Sequence, residues 1–306
     1  MSASHKIIGG VVDTVESVVL GKRPQIRLAL ACLLARGHLL IEDVPGMGKT
    51  TLAQALARVL GLSYSRVQFT SDLLPADIIG VSVFDRERSA FEFHPGPIFS
   101  QLVLADEINR TTPKTQSALL EAMSEGQVSV DGETRLLPQP FFVIATQNPS
   151  TQYGTFPLPE SQLDRFLMRI DLGYPDPESE RRLLSGANPR TQLPKLTAGV
   201  SAAQLSAIQT EVEDVQVSDA LVGYVQRLVQ HTRELPDLEY GVSPRGALAL
   251  LQGARAWALM DGRQYVIPED VQAVFAPIIG HRLHSYASGE PVGAVVQQVL
   301  NSVDIL

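Results

Sequence analysis

The stretch "IEDVPGMGKTTLAQAL" (residues 41–56) reads as a phosphate-binding loop that leaves a short apolar strand and runs into a helix. Such loops follow G-x-x-x-x-G-K-[ST]. Here Gly48, Lys49 and Thr50 fill the last three places, and Asp43 stands where the first glycine belongs. The loop works by aiming backbone N–H groups at phosphate oxygens from a helix N-terminus, whose dipole favours anions. Gly46 and Gly48 let the backbone take unusual dihedrals and approach the ligand closely. Lys49 would reach the β- and γ-phosphates, and Thr50 would offer its hydroxyl to Mg²⁺. The whole cradle is Asp43, Val44, Pro45, Gly46, Met47, Gly48, Lys49, Thr50 and Thr51. Asp43 lies at the strand end, upstream of the tightest curve, and Pro45 with Gly46 can still shape the turn. The substitution is therefore expected to be tolerated.

The flanking sequence supplies the context such a loop requires. "HLLIED" before it is a short apolar strand. After it, Leu52, Ala55, Leu56, Val59 and Leu60 recur at helical spacing until Gly61. Upstream, Pro24 opens a helix carrying Ile26, Leu30, Leu33 and Leu34 on one face, ended by Gly37. Downstream, "LVLADE" (102–107) and "FFVIATQNP" (141–149) are buried-strand patterns that end in polar residues. Between them a helix starts at Thr112 and Pro113, runs to about Glu125 and stops at Gly126. Strands alternating with helices predict an α/β fold with a parallel sheet covered on both faces. Ligands of such sheets bind at the carboxyl ends of the strands, where Asp106, Glu107 and Asn148 all fall. In an acid pair of this kind Asp106 would hold Mg²⁺, usually through water, and Glu107 would polarise the attacking water.

The 306 residues allow two domains, or one large domain and a smaller one. At 44% apolar and 19% charged the chain can bury a real core, and its net charge of −8 argues against broad nucleic-acid affinity. No apolar run is long enough to span a membrane, and the N-terminus lacks the shape of a signal peptide, so a cytoplasmic protein is expected. The single cysteine, Cys32, lies in an apolar helical pattern and reads as a core thiol. Two hairpins interrupt the alternation. "VSVDGETRL" (128–136) turns on Asp-Gly, and "VSVFDRERSAFEF" (81–93) has a charged tip. "GYPDPESE" (173–180) is a Pro-rich connector, which divides the chain into a core of residues 1–173 and a lid of residues 178–306. Beyond it only helices are expected, with a capping box at Ser201 and Gln204 and further caps at Ser218 and Ser243. Trp257 reads as core. His281 and His284 are spaced for one helix face and lack a third ligand beside them.

Taken in order, "VPGMGKTT", "LVLADEINR", "IATQNP", "LPESQLDRF" and "GVSPRGA" resemble an AAA+ ATPase, specifically the MoxR family, close to the magnesium-chelatase AAA+ subunits. The resemblance runs from about residue 6 to 300. It implies an AAA+ P-loop core with an all-helical C-terminal lid, ATP and Mg²⁺ as ligands, and assembly into a homo-oligomer, a hexameric ring. It implies that Asn148 is the sensor that orients water, that Arg165 is the arginine finger acting on the neighbour's nucleotide, and that Arg245 is the second sensor, carried by the lid. The hairpins would face the pore. Chaperone-like action on a protein partner, often one with a von Willebrand factor A domain, follows from the same resemblance, as do metal insertion and complex maturation.

The residues themselves leave some choices open. Arg245 would be the second residue of a helix capped by Ser243, where a cation opposes the dipole by roughly 0.3–1 kcal/mol. A phosphate partner explains it better than a surface carboxylate does. Arg165 is either a finger or a local partner of Asp164 or Glu160, and Arg110 contacts nucleotide or a neighbour. The hairpin tips "DRERS" and "DGE" are charged and lack an aromatic paddle, which favours local remodelling over threading. A nucleic-acid motor on the same core would need a basic face. A scaffold that binds ATP without turnover would not need Glu107 and Asn148.

Overall fold

Five short strands carry the architecture: β1 (Leu39–Glu42), β2 (Tyr64–Gln68), β3 (Leu102–Asp106), β4 (Phe142–Gln147) and β5 (Met168–Ile170). In this computed structural model, which describes residues 3–148, 155–186, 189–285 and 292–305, they form one sheet in the order β2-β3-β4-β1-β5. Every pairing is parallel. The chain leaves β1, crosses to the far edge at β2 and returns through β3 and β4, so the crevice opens beyond the end of β1. Pro149, the last residue of the stretch read as the β4 strand, lies outside the described residues.

Alternate residues of these strands enter two separate cores. Leu39, Ile41, Leu102, Leu104, Phe142 and Ile144 pack on one face, and Leu40, Val103, Ala105, Val143 and Ala145 on the other. β3 is buried at all five of its residues, as a strand covered on both faces must be. Four helices of the core matter here: α1 (Ala3–Glu16), α2 (Arg23–Leu34), α3 (Lys49–Val59) and α4 (Pro113–Glu125). α4 stops where Gly126 takes a left-handed φ of 63°. His38, just before β1, is buried between elements. Its Nδ1 accepts from Val143 N at 3.0 Å, and its Nε2 lies 3.1 Å from the carbonyl of Met123. Burial pushes this imidazole down to about 4, so it is neutral, with the proton on Nε2.

Both hairpins form. Gln127–Val130 pairs with Glu133–Leu136 across Asp131 and Gly132, whose φ values of 54° and 81° are those of a type I′ turn. Gly80–Asp85 pairs with Ala90–Pro95, and register sets Phe84 opposite Phe91. Their rings meet edge-on at 5.3 Å while remaining 50% and 74% exposed. The tip is charged as expected, but an exposed aromatic pair sits directly beneath it. The pair is made by cross-strand register, which the tip sequence alone does not show. Arg135 of the second hairpin lies 3.9 Å over the ring of Phe93, tying the two together.

Beyond the connector lie α5 (Ala202–Asp214), α6 (Asp219–Glu234), α7 (Pro244–Met260), α8 (Pro268–Ile279) and α9 (Val292–Ser302). Ser201 and Gln204 make the reciprocal capping box, Ser218 caps α6 and Ser243 caps α7. Each cap contributes about 1 kcal/mol. One correction concerns the expectation that only helices follow the connector. Leu238–Tyr240 pairs antiparallel with His284–Ser285, segments too short to show a period. His284 therefore lies on a strand and His281 in a 3₁₀ turn, so the two do not share a helix face. Trp257 is only half-buried, with the Arg27 guanidinium 4.4 Å above its ring, whereas Cys32 is fully buried. Packing crosses the connector. α1, α2 and α3 share one apolar core with the lid helices, and Gln209 Nε2 donates to Leu33 O at 2.8 Å. Among the described residues no helix is long and apolar enough to cross a membrane.

Candidate nucleotide-binding site

The loop between β1 and α3 turns on Gly46 and Gly48, with φ of 90° and 95°. A Cβ at either would meet nothing within 4 Å, so the dihedral requires glycine and the space in front of the loop is open. Asp43 is not among the residues with positive φ, which is why an ordinary side chain fits where the motif has glycine. Its carboxylate has a job of its own. One oxygen accepts from Val44 N at 2.7 Å, and the other accepts from Leu172 N at 2.9 Å and Gly173 N at 2.7 Å. The root of the loop is thereby tied to the segment that follows β5. Val44 is exposed, and Met47 packs on the apolar core.

Lys49 is buried. Its Nζ donates to the Asp43 carbonyl at 2.5 Å and to Asn148 Oδ1 at 3.2 Å. Burial pulls its pKa below the ordinary lysine value, and the nearby charges of Asp43, Asp106 and Glu107 push the other way. Those charges outline where a phosphate would compete. Asp106 Oδ1 accepts from Thr146 Oγ1 at 2.6 Å, while Oδ2 accepts from Arg66 Nη2 at 2.6 Å and Nε at 3.1 Å. Glu107 is left-handed, with φ 59° and ψ 48°, a conformation that costs a non-glycine residue about 1–2 kcal/mol. A hydrogen bond from its N–H to Thr146 Oγ1, at 2.9 Å, helps to hold it there. Its carboxylate accepts from Asn148 Nδ2 at 3.2 Å, Gln68 Nε2 at 3.3 Å and Arg110 Nε at 2.9 Å. Arg110 thus pairs with the acid three residues before it.

Asn148 links the two halves of the site, because the same amide accepts from Lys49 and donates to Glu107. It is buried, and its carbonyl accepts from Asn109 Nδ2 at 3.2 Å. The structure gathers Pro45, Gly46, Gly48, Lys49, Thr50, Thr51, Asp106, Glu107 and Asn148 around one cavity of about 310 Å³. Arg165 and Arg245 do not line it. Arg165 instead donates to Leu120 O at 2.6 Å and Ser124 Oγ at 2.9 Å, at the C-terminal end of α4. Arg245, second in α7, lies 3.6 Å from Asp164. The other oxygen of Asp164 is taken by Arg282 Nε at 2.7 Å. The buried Arg282 guanidinium also donates to the carbonyls of Asp164, Phe166 and Leu167.

Sequence reading missed Arg66, Gln68, Thr146 and Arg282. The alternation in "YSRVQF", with Tyr64, Arg66 and Gln68 on one face and Val67 on the other, was the available signal for the first two. The donor set fits a nucleotide with Mg²⁺. Thr50 and Asp106 offer hard oxygens. Among the described residues no group of three or more His, Cys, Asp or Glu could hold a metal alone. A magnesium ion bound through one or two protein oxygens, phosphate and water needs no such group.

Comparison with known proteins finds relatives of both the sheet-bearing part and the helical part. Residues 38–168 match the ATPase family associated with various cellular activities (AAA), and residues 230–301 match the AAA lid domain. The chain is 46% identical to the uncharacterized protein YeaC of Bacillus subtilis, over 98% of its own length and 95% of that protein's. It is 42% identical to Chaperone MoxR1 of Mycobacterium tuberculosis, over 92% of this chain and 77% of that one. A solved structure of a candidate ATPase from Cytophaga hutchinsonii superposes with a TM-score of 0.89 at 39% identity, covering 98% of this chain and 95% of the other.

Proposed function

This chain belongs to the MoxR family of AAA+ ATPases, and we propose that it hydrolyses ATP with Mg²⁺ as a homo-oligomeric ring, a hexamer, that remodels or activates partner proteins. The observation that carries the reading is the convergence of Lys49, Asp106, Glu107 and Asn148 on one cavity in front of the loop. The loop N–H groups and Lys49 would hold the phosphates, with Lys49 exchanging the Asp43 carbonyl for a phosphate oxygen. Held by Thr50 and Asp106, Mg²⁺ would neutralise charge on the phosphates. Glu107 would orient a water and take its proton, fixed in place by Asn148. Arg165 sits at the end of α4 and outside the cavity of its own chain, which supports action across a subunit boundary. The second sensor role for Arg245 rests on its position at the start of α7, from which it would leave Asp164 for phosphate.

Likeness to a protein named as a chaperone supports a chaperone-like role, in the cytoplasm. A partner with a von Willebrand factor A domain, and metal insertion or complex maturation as the outcome, extend that reading. The exposed Phe84–Phe91 pair gives a hairpin facing the pore an apolar contact for a polypeptide. Mg²⁺-dependent ATP turnover, measured against protein concentration, tests the proposal. Turnover per subunit should rise with concentration. Glu107→Gln should abolish it while retaining ATP binding, and Arg165→Ala should lower it by about 10³ or more. Wild type that binds no nucleotide would sink the reading.

A further inference from the structure

Asp106 is held from both sides. Thr146 on β4 holds the oxygen toward the loop, and Arg66 on the edge strand β2 holds the other. Strand alternation sets Arg66 and Gln68 on one face of β2, and register brings Gln68 level with Asp106. Two donors of the guanidinium converge on Asp106 Oδ2. Nη2 also lies 3.3 Å from Gln68 Oε1, and the Gln68 amide donates to Glu107 Oε2 at 3.3 Å. One cation therefore reaches both acids of the pair, one directly and one through a single amide. From Glu107 the same network continues through Asn148 and Lys49 to the Asp43 carbonyl.

An ordinary surface ion pair contributes little and has no reason to be built into such a network. Here the partners are unequal. The Asp106 side chain is 10% exposed and depends on protein donors for its hydrogen bonds, whereas the Arg66 side chain keeps 46% of its surface in water. We propose that Arg66 is a positioning residue of the hydrolytic site, which fixes the orientation of Asp106 and, by its charge, weakens the hold of that site on the divalent cation. The inference rests on the functional reading above and goes beyond it. The positive charge of Arg66 keeps the cation exchangeable, and its paired donors keep Asp106 aligned. Charge and geometry can be separated, because lysine retains the first and loses the second.

The test uses the full-length chain with ADP bound and Mn²⁺ as the cation probe, counting free Mn²⁺ by electron paramagnetic resonance. ATP turnover is measured in parallel at saturating Mg²⁺. Arg66→Ala should tighten Mn²⁺ binding on the order of tenfold, the scale of repulsion between a divalent ion and one nearby charge in a water-like medium. It should also lower kcat with little change in KM for ATP. Arg66→Lys should leave Mn²⁺ affinity near that of wild type while kcat stays low. Unchanged or weakened Mn²⁺ binding in the alanine variant, beside normal binding in wild type, overturns the inference and leaves the ATPase reading standing. Wild type that takes up no Mn²⁺ with ADP overturns both.

Discussion

Replacing Asp43 with glycine restores the loop consensus, and the structure predicts that it harms the protein. The carboxylate accepts two backbone N–H groups from the segment that follows the neighbouring strand β5, Leu172 at 2.9 Å and Gly173 at 2.7 Å. Leu172 is buried, so losing its acceptor leaves a polar group without solvent. A hydrogen bond to a charged acceptor contributes about 1.5–3 kcal/mol, and a half-buried acceptor belongs at the lower end of that range. Two such bonds give about 3 kcal/mol, and the extra freedom of glycine in the unfolded chain adds roughly 0.5–1 kcal/mol. Asp43→Gly should therefore lose about 3–4 kcal/mol. Asp43→Asn, whose amide oxygen keeps part of the set, should lose about half as much. Urea unfolding reads this as a lower midpoint at unchanged slope. Binding of a fluorescent ATP analogue should stay within a few-fold of wild type, because the contact from Lys49 goes to the main-chain carbonyl of residue 43 and survives the change. A glycine variant as stable as wild type would refute the reasoning.

Three further outcomes follow from the same contacts. His38 is held neutral, with its pKa lowered from 6.5 to about 4, so stability is complete above about pH 6.5 and falls as acid approaches pH 4. At roughly 1.4 kcal/mol per pH unit the loss reaches about 3 kcal/mol, and the buried His281, also held well below the usual value, acts in the same direction. Urea midpoints that stay flat from pH 8 to 4.5 would contradict this. Arg282→Met leaves Asp164 with the longer pair to Arg245, at 3.6 Å, and strips a donor from the carbonyls of Phe166 and Leu167. It should cost about 3–5 kcal/mol and speed amide exchange around residues 164–167. Phe84→Ser with Phe91→Ser should shift stability by no more than about 1 kcal/mol, since both rings are exposed. That pair of changes should leave ATP turnover unchanged and weaken binding of an unfolded polypeptide, read by fluorescence anisotropy.

What could be read from sequence was chemistry that lies contiguous along the chain. The loop, the acid pair at the end of β3 and Asn148 after β4 each end an apolar run, so strand geometry alone delivers them to one crevice. Arg66 and Gln68 were hidden because their face is set by an edge strand of mixed polarity, whose position beside β3 is a matter of topology. The AAA+ core and lid were legible through ordered motifs, whereas the two-stranded patch in the lid was too short to leave any pattern.

Asp164 shows why adjacency in sequence misleads about ion pairs. It sits next to Arg165, yet two arginines of the lid reach it, from 81 and 118 positions away. The physical reason is desolvation. Arg282 is buried and must find acceptors for its donors, so it takes a carboxylate oxygen and several carbonyls together. Arg165 has a different arrangement beside the last turns of α4, where the carbonyl of Leu120 and the hydroxyl of Ser124 accept from it. Asp164 therefore anchors the lid to the core. Arg165 is held against α4 by one carbonyl and one hydroxyl, contacts it can exchange without stranding a buried carboxylate, which suits the finger role proposed for it.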